Sequence, residues 1–256
     1  MDLGLRSIRA NWAALPLELI AGVIFFAHGL QKLNDPPGYA GKLLGGIPIF
    51  LVYLVIAAEF GGGLLLLSGF LVRLGAFGHV CVMAVAVSQV HWVTGLTGPG
   101  GFEFPLALLA SSIALLMLGP DPLSIDDNIG VSIYRSRDAA YRRESTDVGS
   151  PLVRAAGLLL ILSGILVPLA RLYLGIPDGT APLVLAIIFG LASVASGAAL
   201  VGGKPWAYIP AFIMARVYLA AGTLMLFYVK YTLRGIAAIA ISLVMLAALR
   251  SARRGM

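Results

Sequence analysis

Three residues near the end of the first apolar run have the types and spacing to do chemistry: His28, Gln31 and Lys32, in the stretch HGLQK. At i, i+3 and i+4 they share one face of a helix. Imidazole, amide and ammonium all offer hydrogen-bond donors, and the ammonium adds positive potential. Two further groups, His91 and Glu103, flank the turn sequence TGLTGPGG, and an antiparallel hairpin would bring them to one level. Glu59 stands alone in a long apolar run, directly ahead of FGGG. Such a set can hydrogen-bond a carbonyl-bearing headgroup and relay protons to it. The same residues also have plain structural uses: His28 as a cross-link between helices, His91 and Glu103 as a pair closing their turn.

The elements that must position these groups are membrane helices. Of the 256 residues, 59% are hydrophobic and 12% charged, and the mean hydropathy is +0.95. A soluble globule carries about one quarter charged residues, so this chain is expected to be all-α and polytopic in a lipid bilayer. Eight apolar stretches approach the roughly 20 residues that cross a bilayer: residues 14–33, 47–70, 73–95, 101–119, 151–172, 181–202, 205–229 and 233–250. Between them lie the punctuating segments NDPPGYAGK, TGLTGPGG, GPDPLSIDD and GIPDGTAP. No small-residue cleavage site follows the first stretch, so it is expected to be retained as a helix.

Residues 127–150 form a polar loop between a first membrane region, 1–126, and a second, 151–256. The pI near 9.7 reflects basic residues lying between the apolar runs, where they set membrane orientation; a nucleic-acid partner is not indicated. The termini and even-numbered loops carry twelve Lys and Arg, the other side five. Both termini and the long loop are therefore expected on the cytoplasmic side of an inner membrane. The single cysteine, Cys81, rules out an internal disulfide, and no Cys/His spacing suggests a structural metal site.

Depth adds two expectations. Lys32 can snorkel to the outer interface, while His28 cannot. Glu59 lies near mid-bilayer, where a carboxylate costs about 2.5 to 3.5 kcal/mol. Counting along the helices places Arg216 at the same depth, so a buried Glu59–Arg216 pair is expected, with the glycines after Glu59 opening a notch beside it.

The succession ELIAGVIFFAHGLQKL, EFGGGLLLLSGFLVRLGA and GFEFPLALLASSIALLMLGPDPLSID, over residues 16–126, resembles the DoxX family of four-helix membrane proteins. That family is similar to the small membrane subunit of thiosulfate:quinone oxidoreductase. The resemblance implies a DoxX-like four-helix bundle followed by four further helices, and a membrane subunit of a quinone-linked oxidoreductase or redox-defence complex. His28, Gln31, Lys32, Glu59, His91 and Glu103 would then line a quinone headgroup or proton site, with electrons supplied by partner oxidoreductase subunits or from outside. The sequence itself carries no dinucleotide-binding glycine signature and no iron–sulfur cysteine set. Three other readings stand beside it: an accessory subunit without chemistry of its own, a small-molecule transporter, and, less favoured, a bis-histidine haem held by His28 and His91.

Overall fold

A computed structural model describes residues 2–43, 46–127, 149–173, 180–226 and 232–254. Among these residues every regular element is helical and no strand occurs. The chain divides into two units, Met1–Asp127 and Asn128–Met256.

The first unit contains α1 (Asp2–Asn34), a short α2 (Pro36–Lys42), α3 (Ile49–Ser68), α4 (Val72–Thr94) and α5 (Glu103–Leu118). Helix α1 packs on α3 and α5, α3 packs on α4, and α4 packs on α5, which closes a ring of four helices. Its core holds Ala14, Ala21, Phe25, Leu66, Val72, Ala76, Met83, Leu108 and Leu115. Large apolar side chains such as Leu54, Leu74, Phe77 and Met117 point outward. That inside-out distribution suits a bundle whose solvent is hydrocarbon.

Two helices of this unit are not uniformly α-helical. In α3 the residues Ala57–Gly61 form a π turn, and in α4 the residues Ala86–His91 form another. Each widened turn shifts the side-chain register of the helix beyond it. Glu59 lies inside the first, His91 at the end of the second.

The segment after α5 is more than helix-ending punctuation. The backbone N–H of Asp121 donates to Glu18 Oε1 at 2.7 Å, and that of Asp126 donates to the Gly69 carbonyl at 3.0 Å. The Asp126 carboxylate accepts from the N–H groups of Leu71 and Val72 at 2.8 and 2.9 Å. These are the unpaired amides at the start of α4, and Leu71 is held at φ +48° to present them. The residues from Gly119 to Asp127 thus strap one end of the bundle.

The second unit contains α6 (Pro151–Tyr173), α7 (Thr180–Val201), α8 (Tyr208–Leu226) and α9 (Thr232–Arg254). It too closes a ring, α6 on α7, α7 on α8, α8 on α9 and α9 on α6. Gly164 and Gly190 meet where α6 and α7 cross, since a side chain on either would begin 2.5 Å from the carbonyl oxygen of the other.

Among the described residues six helices are long and apolar enough to cross a membrane: Trp12–Asn34, Ile49–Ser68, Val72–Thr94, Pro151–Leu169, Pro205–Leu226 and Arg234–Ser251. Glu103–Leu118 and Ala186–Val201 are apolar but shorter. The sixteen residues of α5 reach about 24 Å, against a hydrocarbon core of about 30 Å. The polar loop falls mostly on residues outside those described.

Candidate functional site

The structure brings two of the expected residues together. Lys32 and Glu59 form an ion pair, with the Lys32 ammonium donating to Glu59 Oε2. Both residues are buried, at 8% and 3% exposure. The lysine does not snorkel outward. Side chains on a helix lean toward its N-terminus, so Lys32 leans back down α1 while Glu59, on the antiparallel α3, leans up toward it. The glycines of α1 make the approach close: a side chain on Gly22 would begin 3.2 Å from the Gly63 carbonyl oxygen. Gly29, one turn before Lys32, likewise has no room for a side chain against the backbone of Phe60. The ammonium also lies over the Tyr39 ring, 5.0 Å from its centroid, where the ring quadrupole attracts a cation. Tyr39 belongs to α2, whose first turn is fixed by Asp35 accepting from the Gly38 N–H at 3.0 Å.

Glu59 thus has a partner within its own unit, a lysine whose long side chain leans toward it, which counting residues along the helix axes leaves out. Arg216 is a fully buried residue of α8 in the second unit. The glycine notch is also filled: Gly63 packs against α1 and Gly62 against the ring of His79.

The remaining expected residues are not members of the ion pair. His28 is exposed on α1, its ring tilted 44° to that of Phe104 on α5 at a centroid separation of 6.5 Å. Gln31 is exposed beside it. His91 and Glu103 do not pair. His91 Nδ1 instead lies 2.8 Å from the Gly100 carbonyl oxygen, and the Thr94 hydroxyl contacts the His91 and Gly100 carbonyls at 2.6 Å each. Trp92 stacks on Phe102 across the same turn, 5.3 Å between centroids. His91 is therefore a turn lock, and Glu103 is an exposed carboxylate in the first turn of α5.

One residue was passed over in the sequence. His79 is fully buried in α4 and lies face to face with Phe25, 3.6 Å between centroids and 6° between planes. Its Nε2 is 2.6 Å from where a Gly62 side chain would begin. The carbonyls of Ala58 and Glu59, in the π turn, lie toward the ring, yet neither ring nitrogen reaches a partner with hydrogen-bonding geometry. The available signal was an ionisable residue inside an apolar span, flanked by Gly75 and Gly78.

Among the described residues no cluster of three His, Cys, Asp or Glu side chains could hold a metal ion. Comparison with known proteins bears on the first unit. The DoxX family profile matches residues 13–92. The chain is 33% identical over 117 residues to "Putative oxidoreductase CatD" of Bacillus subtilis, covering 83% of that protein and 44% of this chain. It is 32% identical over 127 residues to "Inner membrane protein YqjF" of Escherichia coli, covering 88% of that protein and 44% of this chain. No solved structure matches. A multi-pass helical membrane protein that covers most of a DoxX-type relative at this identity belongs to the DoxX family.

Proposed function

We propose that this chain is the membrane subunit of a quinone-linked oxidoreductase, with eight membrane-crossing helices and both termini cytoplasmic in an inner membrane. The observation that carries the reading is the buried Lys32–Glu59 pair, with the exposed donors of His28 and Gln31 in the same turns of α1. Ionisable groups held inside a membrane bundle mark proton and substrate paths. The names of the two relatives, "Putative oxidoreductase" and "Inner membrane protein", support both parts of the reading.

The residues fit a quinone by what they offer. His28 and Gln31 present donors at the interface for a carbonyl oxygen. Lys32 keeps positive potential behind them, favouring the charge that develops there on reduction. Glu59, paired with Lys32, can take up and pass on a proton. A quinone, when bound, accepts two electrons and two protons and leaves as the quinol; the electrons come from a partner oxidoreductase subunit. The test is quinone affinity of the full chain reconstituted in lipid. His28→Leu should weaken it at least tenfold without loss of insertion, whereas Leu30→Ala, on another side of the same helix, should change it less than twofold. Unchanged affinity in His28→Leu would return His28 to a helix-packing role and favour an accessory subunit.

A further inference from the structure

Glu59 sits in the middle of the π turn Ala57–Gly61. Wide turns of this kind are rare, occur singly and concentrate at functional sites. In this one the Gly62 N–H is shared among the carbonyls of Ala57, Ala58 and Glu59. A carbonyl oxygen has two lone pairs, so these acceptors retain capacity for a further donor.

Helix α4 brings a donor to them. Its glycines allow the approach: a side chain on Gly75 would begin 3.0 Å from the Gly62 carbonyl oxygen, and one on Gly78 would begin 3.4 Å from Ala58 Cβ. His79, the next residue, is fully buried. Its ring lies flat on Phe25 of α1, 3.6 Å between centroids and 6° between planes. Its Nε2 corner is pressed against α3, 2.6 Å from where a Gly62 side chain would begin. The imidazole is therefore wedged between α1 and α3, beside the turn that carries Glu59.

Packing alone does not account for an imidazole in this slot. Every tautomer carries at least one N–H, and a buried N–H without an acceptor is destabilising where a phenyl ring of similar shape is not. Neither ring nitrogen meets a partner in hydrogen-bonding geometry. The acceptors that lie toward the ring are the carbonyls of Ala58 and Glu59.

We infer that His79 is a positioning residue for the Lys32–Glu59 pair: its ring N–H donates to a carbonyl of the α3 π turn, holds that turn wide, and so sets the Glu59 carboxylate against Lys32. A small tilt of the ring within its slot closes the bond. The coupling is direct, because the carbonyl that is held and the carboxylate that is placed belong to one turn. Without the donor the turn relaxes toward α, which rotates Glu59 about the axis of α3 and draws its carboxylate away from Lys32. This placing of the pair stands whatever the pair serves; only its consequence for proton delivery to a bound quinone rests on the quinone reading above.

The experiment is solid-state magnetic resonance on the full chain in lipid bilayers, with isotope labels in the histidine rings, the backbone carbonyls of alanine and glutamate, the lysine ammonium groups and the glutamate carboxylates. In the native protein a ring nitrogen of His79 should show through-space contact with the carbonyl carbon of Ala58 or Glu59, and the Lys32 ammonium with the Glu59 carboxylate. His79→Phe keeps a ring on Phe25 and removes the donor; the chain should still insert, and the Lys32–Glu59 contact should be lost. Gly62→Ala keeps the imidazole but pushes it off the turn, and should lose the same contact. The inference is overturned if the native ring makes no contact with either carbonyl. It is equally overturned if the Lys32–Glu59 contact persists in His79→Phe or, should that variant fail to insert, in Gly62→Ala. Quinone affinity of the same samples should be unchanged in His79→Phe, since His28 and Gln31 are untouched; a native chain that binds no quinone overturns the quinone reading and leaves the role of His79 standing.

Discussion

Lys32 and Glu59 hold each other in place because neither is tolerable alone. Both are buried among helices α1 to α3, and an unpartnered charge there must either lose its proton balance or drag water inward. Removing one partner of a buried pair costs about 3 to 5 kcal/mol, largely from the charge left behind, while replacing both with apolar residues is much milder. Lys32→Met and Glu59→Gln should each therefore lower thermal stability in detergent strongly, and the double variant should recover most of the loss. Additive losses would show that the two do not act as a pair. Glu59 was legible in the sequence as a residue that needed a partner. Which partner was not legible, since depth counted in residues misses a lysine side chain folded back along its helix. His79 was open to the same reasoning as Glu59 but lies away from the outer ends where the donors cluster, and only the geometry shows it walled in by Phe25 and Gly62.

At the level of elements, the helices were largely readable from punctuation, because Gly, Pro and Asp end apolar runs for steric and hydrogen-bonding reasons that act locally. The π turns were not readable. An extra residue in a turn is chosen by what the flanking side chains meet on other helices, and neither Ala57–Gly61 nor Ala86–His91 has a local sequence that demands it. The glycines of α3 follow the same division. Gly63 cannot take a side chain without contacting the α1 backbone, 2.6 Å from Phe26 N and 2.8 Å from the Gly22 carbonyl oxygen. Gly61, two residues earlier, has open space. Gly63→Ala should thus destabilise by about 1 to 3 kcal/mol through forced separation of α1 and α3, whereas Gly61→Ala should be neutral or stabilising by up to about 1 kcal/mol from helix propensity. Equal effects in a melting experiment would contradict this packing. The strap after α5 makes a related case. Asp126→Ala removes a charged acceptor from two amides at the start of α4, and should cost about 1 to 3 kcal/mol. The loss should appear as faster hydrogen exchange at Leu71 and Val72.

The whole molecule was the easiest scale to read, because composition alone requires a lipid surround: with 12% of residues charged, most outward-facing side chains must be apolar. Orientation is a separate property, set by where cations lie along the chain and not by how helices pack, so the basic residues carry the argument. Twelve lie at the termini and even-numbered loops, including Arg135, Arg137, Arg142 and Arg143 of the long polar segment; five lie opposite. Holding a segment with four arginines on the cytoplasmic side avoids moving it across the bilayer against the membrane potential, worth about 2.3 kcal/mol per charge per 100 mV. The proposed eight crossings would keep both termini on that side, whereas seven would separate them. The natural cysteine, Cys81, is exposed on α4, so the measurement starts from Cys81→Ser. In intact cells an impermeant thiol reagent should label Thr180→Cys, in the first turn of α7, and should leave Ser145→Cys unlabelled until the cells are opened. Labelling of Ser145→Cys in intact cells would overturn the orientation, and labelling of both positions from one side would overturn the eight-helix count.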